Sequence, residues 1–162
     1  MLSDITNLFD VSAAPAADRR ITRRLIDVWA RTARGLFPSW TDLQGADLGE
    51  DWDWIFTIDV EKSIGFPYFI FLGDQLAKLS DVYLSGSTDW TVSLLDKATG
   101  DIFAAVAQES ACFRDDVLTL CDGRRLLIRS VTAPLADDGE KITHVVGAVS
   151  GRLAPVEPLA AV

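Results

Sequence analysis

The stretch that decides the fold is RRLLIRSVTAPLADDGEKITHVVGAVS, residues 124–150. Two apolar runs flank Asp138-Gly139, and a second Asp-Gly pair, Asp122-Gly123, separates the first of these runs from the apolar run before it. Asp-Gly between apolar runs is a strong signal for a tight turn joining antiparallel strands. The pattern therefore predicts a three-strand meander. Its strands are expected near residues 110–121, 124–135 and 141–151.

His144 is the single histidine of the chain, and it alternates with apolar residues in the last predicted strand. This position indicates a sheet residue that is hydrogen-bonded or partly exposed. It does not favour a metal ligand or a catalytic residue. One histidine gives no convincing Ser-His or Cys-His pair for nucleophilic catalysis, and there is no phosphate-binding glycine motif. We therefore expect no enzyme activity. Three carboxylate pairs lie in turn-like segments, where solvated acid is the ordinary explanation: Asp51/Asp53, Asp115/Asp116 and Asp137/Asp138.

The overall charge of the 162-residue chain limits its partners. Its length suggests one domain, and its net charge of -9 disfavours binding to nucleic acid or to anionic membranes. Cys112 and Cys121 are too few for a disulfide scaffold and form no CxxC pair, so neither a disulfide framework nor zinc is expected. Buried structural cysteine is the default for both, and a redox role stays open. The absence of a signal peptide and of a long apolar run predicts a cytoplasmic protein.

An amphipathic helix is predicted over residues 18–35, after a loose arm at residues 1–17. Asp18 is a suitable N-terminal cap, and Gly35 ends the pattern. The apolar stripe consists of Ile21, Leu25, Val28 and Trp29. The other face carries the only basic block of the chain: Arg19, Arg20, Arg23, Arg24, Arg31 and Arg34. That face is either solvated or in contact with an acidic surface, belonging to this protein or to a partner.

Two further strands are predicted at residues 54–60 and 66–73, and helices follow, with a long helical stretch over residues 89–110. The strands are apolar on both sides, whereas a sheet with one wet face alternates apolar and polar residues. Both faces of the sheet are therefore expected to be covered. The N-terminal helix is the candidate for the second layer. It packs either on its own sheet or against the same helix of a second copy.

This order of elements resembles a PAS domain. The C-terminal stretch is similar to the closing signature of PAS domains common in alphaproteobacteria. Its marks fall at Pro134, Leu135, Asp138, Gly139 and Gly147. The stretch YFIFLGDQLAKLSDVYLSGS, residues 68–87, is similar to the second strand and following helix of that family. Its marks fall at Gly73, Leu76, Leu79, Leu84 and Gly86, and residues 80–84 depart from the family's usual run.

The resemblance covers roughly residues 25–152 and implies a fold and a function. The implied fold is α+β: a five-stranded antiparallel sheet with short helices and one long helix on one face, plus the N-terminal helix. The PAS domain would span residues 36–153, followed by a short tail at 154–162. The implied function is a stand-alone sensory module that acts in signal transduction through protein–protein contact, with an unknown signalling partner and as a homodimer.

Cofactor chemistry is not expected. PAS domains that bind haem usually hold the iron through a histidine of the long helix, and this stretch has no histidine. The similar light-oxygen-voltage domains need a cysteine after the short helices, and residues 87–92 have none. A small-molecule ligand between sheet and helices is a second hypothesis, with Trp54, Phe56, Tyr68 and Phe71 as candidate contacts. The stripe of Ile21, Leu25, Val28 and Trp29 is the candidate dimer or partner interface. A third hypothesis is a small α+β cone-fold enzyme, or a carrier of an apolar ligand.

Overall fold

The computed structural model describes residues 20–81, 93–99, 102–120 and 123–154. The predicted arm, the predicted cap Asp18, Cys121 and the family marks Leu84 and Gly86 lie outside these ranges. So do the predicted C-terminal tail and the segment that lacks a flavin-reactive cysteine. The N-cap position of the first helix is Arg20, which makes no side-chain cap hydrogen bond.

The elements occur in the predicted order of two strands, helices and three strands. The α-helices are α1 (Ile21–Thr32), α2 (Trp40–Gln44), α3 (Asp74–Ala77), α4 (Leu94–Ala98) and α5 (Ile102–Gln108). Two 3-10 helices lie at Gly49–Trp54 and Lys78–Asp81. The strands are β1 (Ile55–Asp59), β2 (Tyr68–Leu72), β3 (Cys112–Thr119), β4 (Arg125–Leu135) and β5 (His144–Leu153). All five predicted strands are confirmed, and no end differs from its predicted position by more than three residues.

The strands form one antiparallel sheet in the order β2-β1-β5-β4-β3. The meander β3-β4-β5 is the one that the two Asp-Gly pairs predict, and β1 joins it by pairing with β5. Gly139 makes the β4–β5 turn with φ of 83°, a conformation that glycine adopts without steric cost. The predicted α+β fold class is therefore confirmed.

Strand β2 contains a bulge. Thr57 pairs with Phe71 while its neighbour Ile58 pairs with Phe69, so Ile70 is an extra residue opposite β1. A bulge of one residue reverses the alternation of side chains beyond it. Phe69 therefore packs in one core cluster and Phe71 in the other, although they are only two positions apart.

Both faces of the sheet are covered, as the apolar strands predict. On the inner face, side chains of α3, α4 and α5 pack against the sheet. Its fully buried members include Phe56, Ile58, Leu76, Leu79, Leu94 and Leu126. On the outer face, α1 and α2 pack against β1, β4 and β5. Its buried members include Ile21, Leu25, Leu43, Ile55, Val131, Ala133, Val146 and Ala148.

Helix α1 is held to its own sheet by polar contacts as well as by its apolar stripe. The indole Nε1 of Trp29 donates to the carbonyl of Pro134 at 2.8 Å. The guanidinium of Arg24 donates twice to the Asp51 carboxylate, at 2.5 and 2.7 Å. The chain after α1 then hydrogen-bonds the β4–β5 turn, where Phe37 N–H meets Gly139 O at 3.1 Å. These contacts place α1 on the sheet of the same chain.

The helical stretch before β3 differs from the prediction of one long helix. The structure has two short helices, α4 and α5. A capping box between Ser93 and Asp96 begins α4, and Thr99 leaves the helical conformation with φ of -106° and ψ of 8°. The apolar stripe continues through both helices, with Leu94, Leu95, Ile102 and Ala105 buried. A helical repeat of apolar residues reports which side faces the core, and it does not report where the backbone turns.

Candidate functional site

A cavity of about 330 Å³ lies between α5 and strands β3 and β4, and we call it the sheet cavity. Its apolar side is formed by Leu118 and Ile128, which belong to the inner-face core. Helices α4 and α5 and the residue before β3 contribute small side chains, Ala98, Ala104 and Ala111. Because alanine fills so little space, these positions leave room between the helices and the sheet.

Alternation along the two strands places the polar side chains in this cavity. Cys112, Arg114 and Asp116 project from β3 on the inner side. Across from them on β4 lie Ser130 and Thr132, since Cys112 pairs with Thr132 and Arg114 pairs with Ser130. Consecutive side chains of a strand point to opposite faces, so these alternate residues of both strands share the cavity side. Phe113, between Cys112 and Arg114, also lines the cavity.

The sheet cavity combines charges with hydrogen-bonding groups. Arg114 donates to the Asp116 carboxylate at 3.0 Å, and Lys97 and Gln108 line the helical side. The Cys112 thiol donates to Oε1 of the Gln108 side chain at 3.2 Å. Such a site can hold a small molecule that has an apolar part against Leu118 and polar groups toward the strands. Among the described residues, no three metal-ligating side chains come together.

The four aromatic residues predicted to contact a ligand are not brought together. Phe56 is fully buried on the inner face, where its ring lies against Gly147. Phe71 packs on the outer face with Trp40 and Trp52. Tyr68 is 48% exposed at the sheet edge, and Trp54 contacts both core clusters. None of them lines the sheet cavity.

The sequence contained one signal for the cavity residues. In β4 the small hydroxyl residues Ser130 and Thr132 stand at alternate positions, on either side of the outer-face residue Val131. Polar residues on a strand face that helices are expected to cover indicate a site rather than a filled core. The aromatic residues drew the prediction elsewhere because their size fits a ligand pocket and a packed core equally well.

The four candidate interface residues lie between α1 and the sheet of the same chain. Ile21 and Leu25 are buried, and Val28 and Trp29 are half-buried in the outer-face cluster. This packing accounts for the apolar stripe without a second subunit. A homodimer stays a prediction.

His144 lies at the start of β5, where it pairs with Asp59 of β1 and Leu135 of β4. Its Nδ1 is 2.8 Å from the Thr143 hydroxyl and 3.6 Å from an Asp137 carboxylate oxygen. Its Nε2 is 3.8 Å from the Asp59 carboxylate, and 14% of its side chain is exposed. The prediction of a hydrogen-bonded sheet residue is confirmed. Its strand position puts it on the outer side of the sheet, away from the cavity.

One carboxylate of each predicted pair makes a structural contact: Asp51, Asp115 and Asp138. Asp51 is bound by Arg24, and Asp115 by Arg129 at 2.9 Å. The Arg129 hydrogen bond lowers the pKa of Asp115. The backbone N–H groups of Glu140 and Lys141 donate to Asp138, which lowers its pKa and fixes the β4–β5 turn.

Part of the basic block on α1 meets acidic groups of this chain. Arg24 binds Asp51, and Arg34 lies 3.4 Å from Asp42. The carboxylates come from the connecting segment between α1 and β1. Contact with the protein's own acidic surface is therefore observed for these two arginines.

The topology agrees with the resemblance stated above, since a five-stranded antiparallel sheet carries its short helices between β2 and β3. The fold is PAS-like. Among solved structures, the chain is similar to a PAS domain of a protein from Colwellia psychrerythraea. The two are 13% identical, with a TM-score of 0.36, and the match covers 59% of this chain and 82% of that one. A light-oxygen-voltage domain studied with a flavin analogue is 14% identical, with a TM-score of 0.38 and coverage of 60% and 75%.

No family model matches the chain, and no curated protein matches it. Within the described residues, no helix is long and apolar enough to cross a membrane.

Proposed function

We propose that this protein is a cytoplasmic sensory module that binds a small molecule in the sheet cavity and passes the signal to a partner protein by contact. The observation that carries the proposal is the cavity itself, whose volume of about 330 Å³ is in the range of small-molecule sites. It lies where the helical layer meets the sheet, so that an occupant touches elements from both layers.

The lining favours a small ligand with polar groups. Ser130 and Thr132 offer hydroxyls that donate and accept, and Lys97 offers an ammonium group. A ligand that hydrogen-bonds the strands and touches α5 would couple the position of that helix to the sheet. A ligand shifts such an equilibrium only by its difference in affinity for the two arrangements.

We propose no catalytic step for the module. The histidine lies on the opposite side of the sheet from the cavity. The Asp116 carboxylate in the cavity is bound to Arg114. Binding is therefore the activity that the cavity supports best.

The test compares two substitutions on the same helix. Ala104→Phe fills the sheet cavity, whereas Ala107→Phe adds the same ring at an exposed position that does not line it. Gently purified protein would be examined by native mass spectrometry, and thermal shift would be measured with a panel of small polar metabolites. We expect a ligand or a stabilising compound for the unmodified protein and for Ala107→Phe, and none for Ala104→Phe. Equal responses of the two variants, or no response of the unmodified protein to any compound, would contradict the proposal.

A further inference from the structure

A second groove, of about 250 Å³, lies on the outer face beside α1 and β3, and we call it the arginine groove. It is lined by Thr22, Arg23, Phe113, Arg114, Asp115 and Arg129. Phe113, Asp115 and Arg129 belong to the outer side of the sheet, as Val131 does in the same register. The groove therefore opens on the opposite face from the sheet cavity, although Phe113 and Arg114 line both.

The groove forms where the outer layer stops short of the sheet edge. Helix α1 packs on β4 and β5. Beyond it the outer side of β3 is open, with Phe113 48% exposed and Val117 55% exposed. Exposed apolar side chains on a strand at the end of a sheet are typical of a protein interaction site.

The charge of the arginine groove is opposite to that of the whole protein. Its lining holds three arginines and one aspartate, whereas the chain carries a net charge of -9. Of the arginines, Arg114 is already paired with Asp116 at 3.0 Å. Asp115 is bound by Arg129 at 2.9 Å, so this carboxylate is already matched. Arg23 lies 5.3 Å over the Phe113 ring and forms no ion pair with a described residue. A partner that supplies a carboxylate would complete the interactions of Arg23.

The backbone of β3 favours an extended partner. The strand has eight residues that pair with β4 in unbroken register, and it ends the sheet. No described strand pairs with its other side. An extended segment can add to such an edge through backbone hydrogen bonds, while its side chains select for charge and size.

We infer that the arginine groove and the β3 edge bind an extended acidic segment of a partner protein. Its carboxylates would face Arg23 and the groove, and its apolar side chains would cover Phe113 and Val117. This surface is where the partner of the proposed sensory module would bind. The inference rests on the proposed function only in assuming that such a partner exists.

The test uses the full chain and a labelled, capped peptide of glutamate and valine, as long as the eight residues of β3. Binding is followed by fluorescence anisotropy, with a second peptide that has glutamine in place of every glutamate. The variant is Arg23→Gln. Its control is Arg31→Gln, which removes an exposed arginine of the same helix whose guanidinium donates to a backbone carbonyl of its own helix.

The acidic peptide should bind the unmodified protein and Arg31→Gln equally, and salt should weaken that binding. Arg23→Gln should bind about fivefold more weakly, the size expected for one exposed charge pair. The glutamine peptide should not distinguish Arg23→Gln from the unmodified protein. Ala104→Phe should bind the acidic peptide normally, because Ala104 does not line the arginine groove. If the sheet cavity of the unmodified protein binds no ligand, the peptide result is therefore unaffected.

Three results would overturn the inference. The first is equal binding of the glutamate and glutamine peptides, and the second is equal affinity of Arg23→Gln and Arg31→Gln for the acidic peptide. The third is a protein that self-associates in gel filtration and becomes monomeric in Arg23→Gln, which would assign the groove to a second copy.

Discussion

The indole N–H of Trp29 donates to the carbonyl of Pro134 across 105 positions of sequence, at 2.8 Å. This bond joins the N-terminal helix to the strand that holds the closing PAS-like marks Pro134 and Leu135. It fixes the outer layer to the sheet by a directional contact, in addition to the burial of Ile21 and Leu25.

Replacing Trp29 with Phe keeps an aromatic ring but removes the indole N–H, which leaves the part-buried carbonyl of Pro134 without its donor. The change should therefore destabilise the fold by about 1 kcal/mol or more. The free energy of unfolding in urea is the measurement. Trp40→Phe is the control, since Trp40 packs in the same outer-face cluster through ring contacts with Trp52 and Phe71. A smaller loss for Trp29→Phe than for Trp40→Phe would show that the hydrogen bond is unimportant.

Replacing Thr57 with Val should stabilise the protein by about 1 kcal/mol. Thr57 is fully buried between Phe71 and Val146, and among the described residues its hydroxyl has no hydrogen-bond partner. Valine has nearly the same shape and removes the unsatisfied group. Thr99→Val is the contrast, because the buried Thr99 hydroxyl donates to Leu95 O at 2.8 Å and its loss should destabilise. Thermal and urea unfolding of both variants would measure the difference. Equal effects would refute the prediction.

Adding a methyl group at Gly147 should destabilise the protein by about 1–3 kcal/mol. A Cβ at this position would overlap the Phe56 ring, which is fully buried. Gly45→Ala is the control, since its nearest neighbour would be Asp42 O at 3.5 Å, an ordinary contact. Combining Gly147→Ala with Phe56→Leu should cost less than the sum of the two single changes, because the smaller side chain relieves the overlap. Additive losses would place the strain elsewhere.

Acidification should weaken the fold partly through Asp115. The Arg129 hydrogen bond lowers the Asp115 pKa from its ordinary 3.8. A carboxyl with a lowered folded-state pKa stabilises the fold above its unfolded-state pKa, and this contribution is lost as pH falls through the lowered value. Asp115→Asn should therefore lose less stability than the unmodified protein between neutral pH and the acid range. Adding Arg129→Gln to Asp115→Asn should change the pH dependence no further. A pH profile of unfolding free energy identical to that of the unmodified protein would contradict this.

Deleting residues 1–35 should expose the outer face of the sheet. Helix α1 covers Val131, Ala133, Val146 and Ala148, which would become an open apolar surface. Light scattering of the truncated and full-length proteins should show aggregation of the truncated one, together with a lower melting temperature. A truncated protein that stays soluble, keeps its oligomeric state and melts at the same temperature would show that α1 is not a structural layer.

The strands and their order could be predicted from the sequence because their signals are local. Alternation in residues 124–150 and the Asp-Gly turns depend on neighbours a few positions away. The strands do not alternate apolar and polar residues, which predicted that a second helical layer covers the other face of the sheet. Helix α1 provides this layer. The single histidine, set among apolar residues, was enough to predict a sheet residue.

Only the tertiary structure determined where the cavity and the groove of this protein lie. The β1–β2 register pairs Thr57 with Phe71 and Phe56 with Leu72, which puts Phe71 on the outer face and Phe56 on the inner face. These two aromatic residues, which suggested a ligand site, are therefore separated by the sheet. Small residues of α4 and α5 come opposite Ser130 and Thr132 only when the helices dock. A cavity is the volume left between elements that are distant in sequence, and no local pattern of residues encodes that distance. The same reason applies to the arginine groove, because Arg23 and Arg129 meet only through the packing of α1 on the sheet.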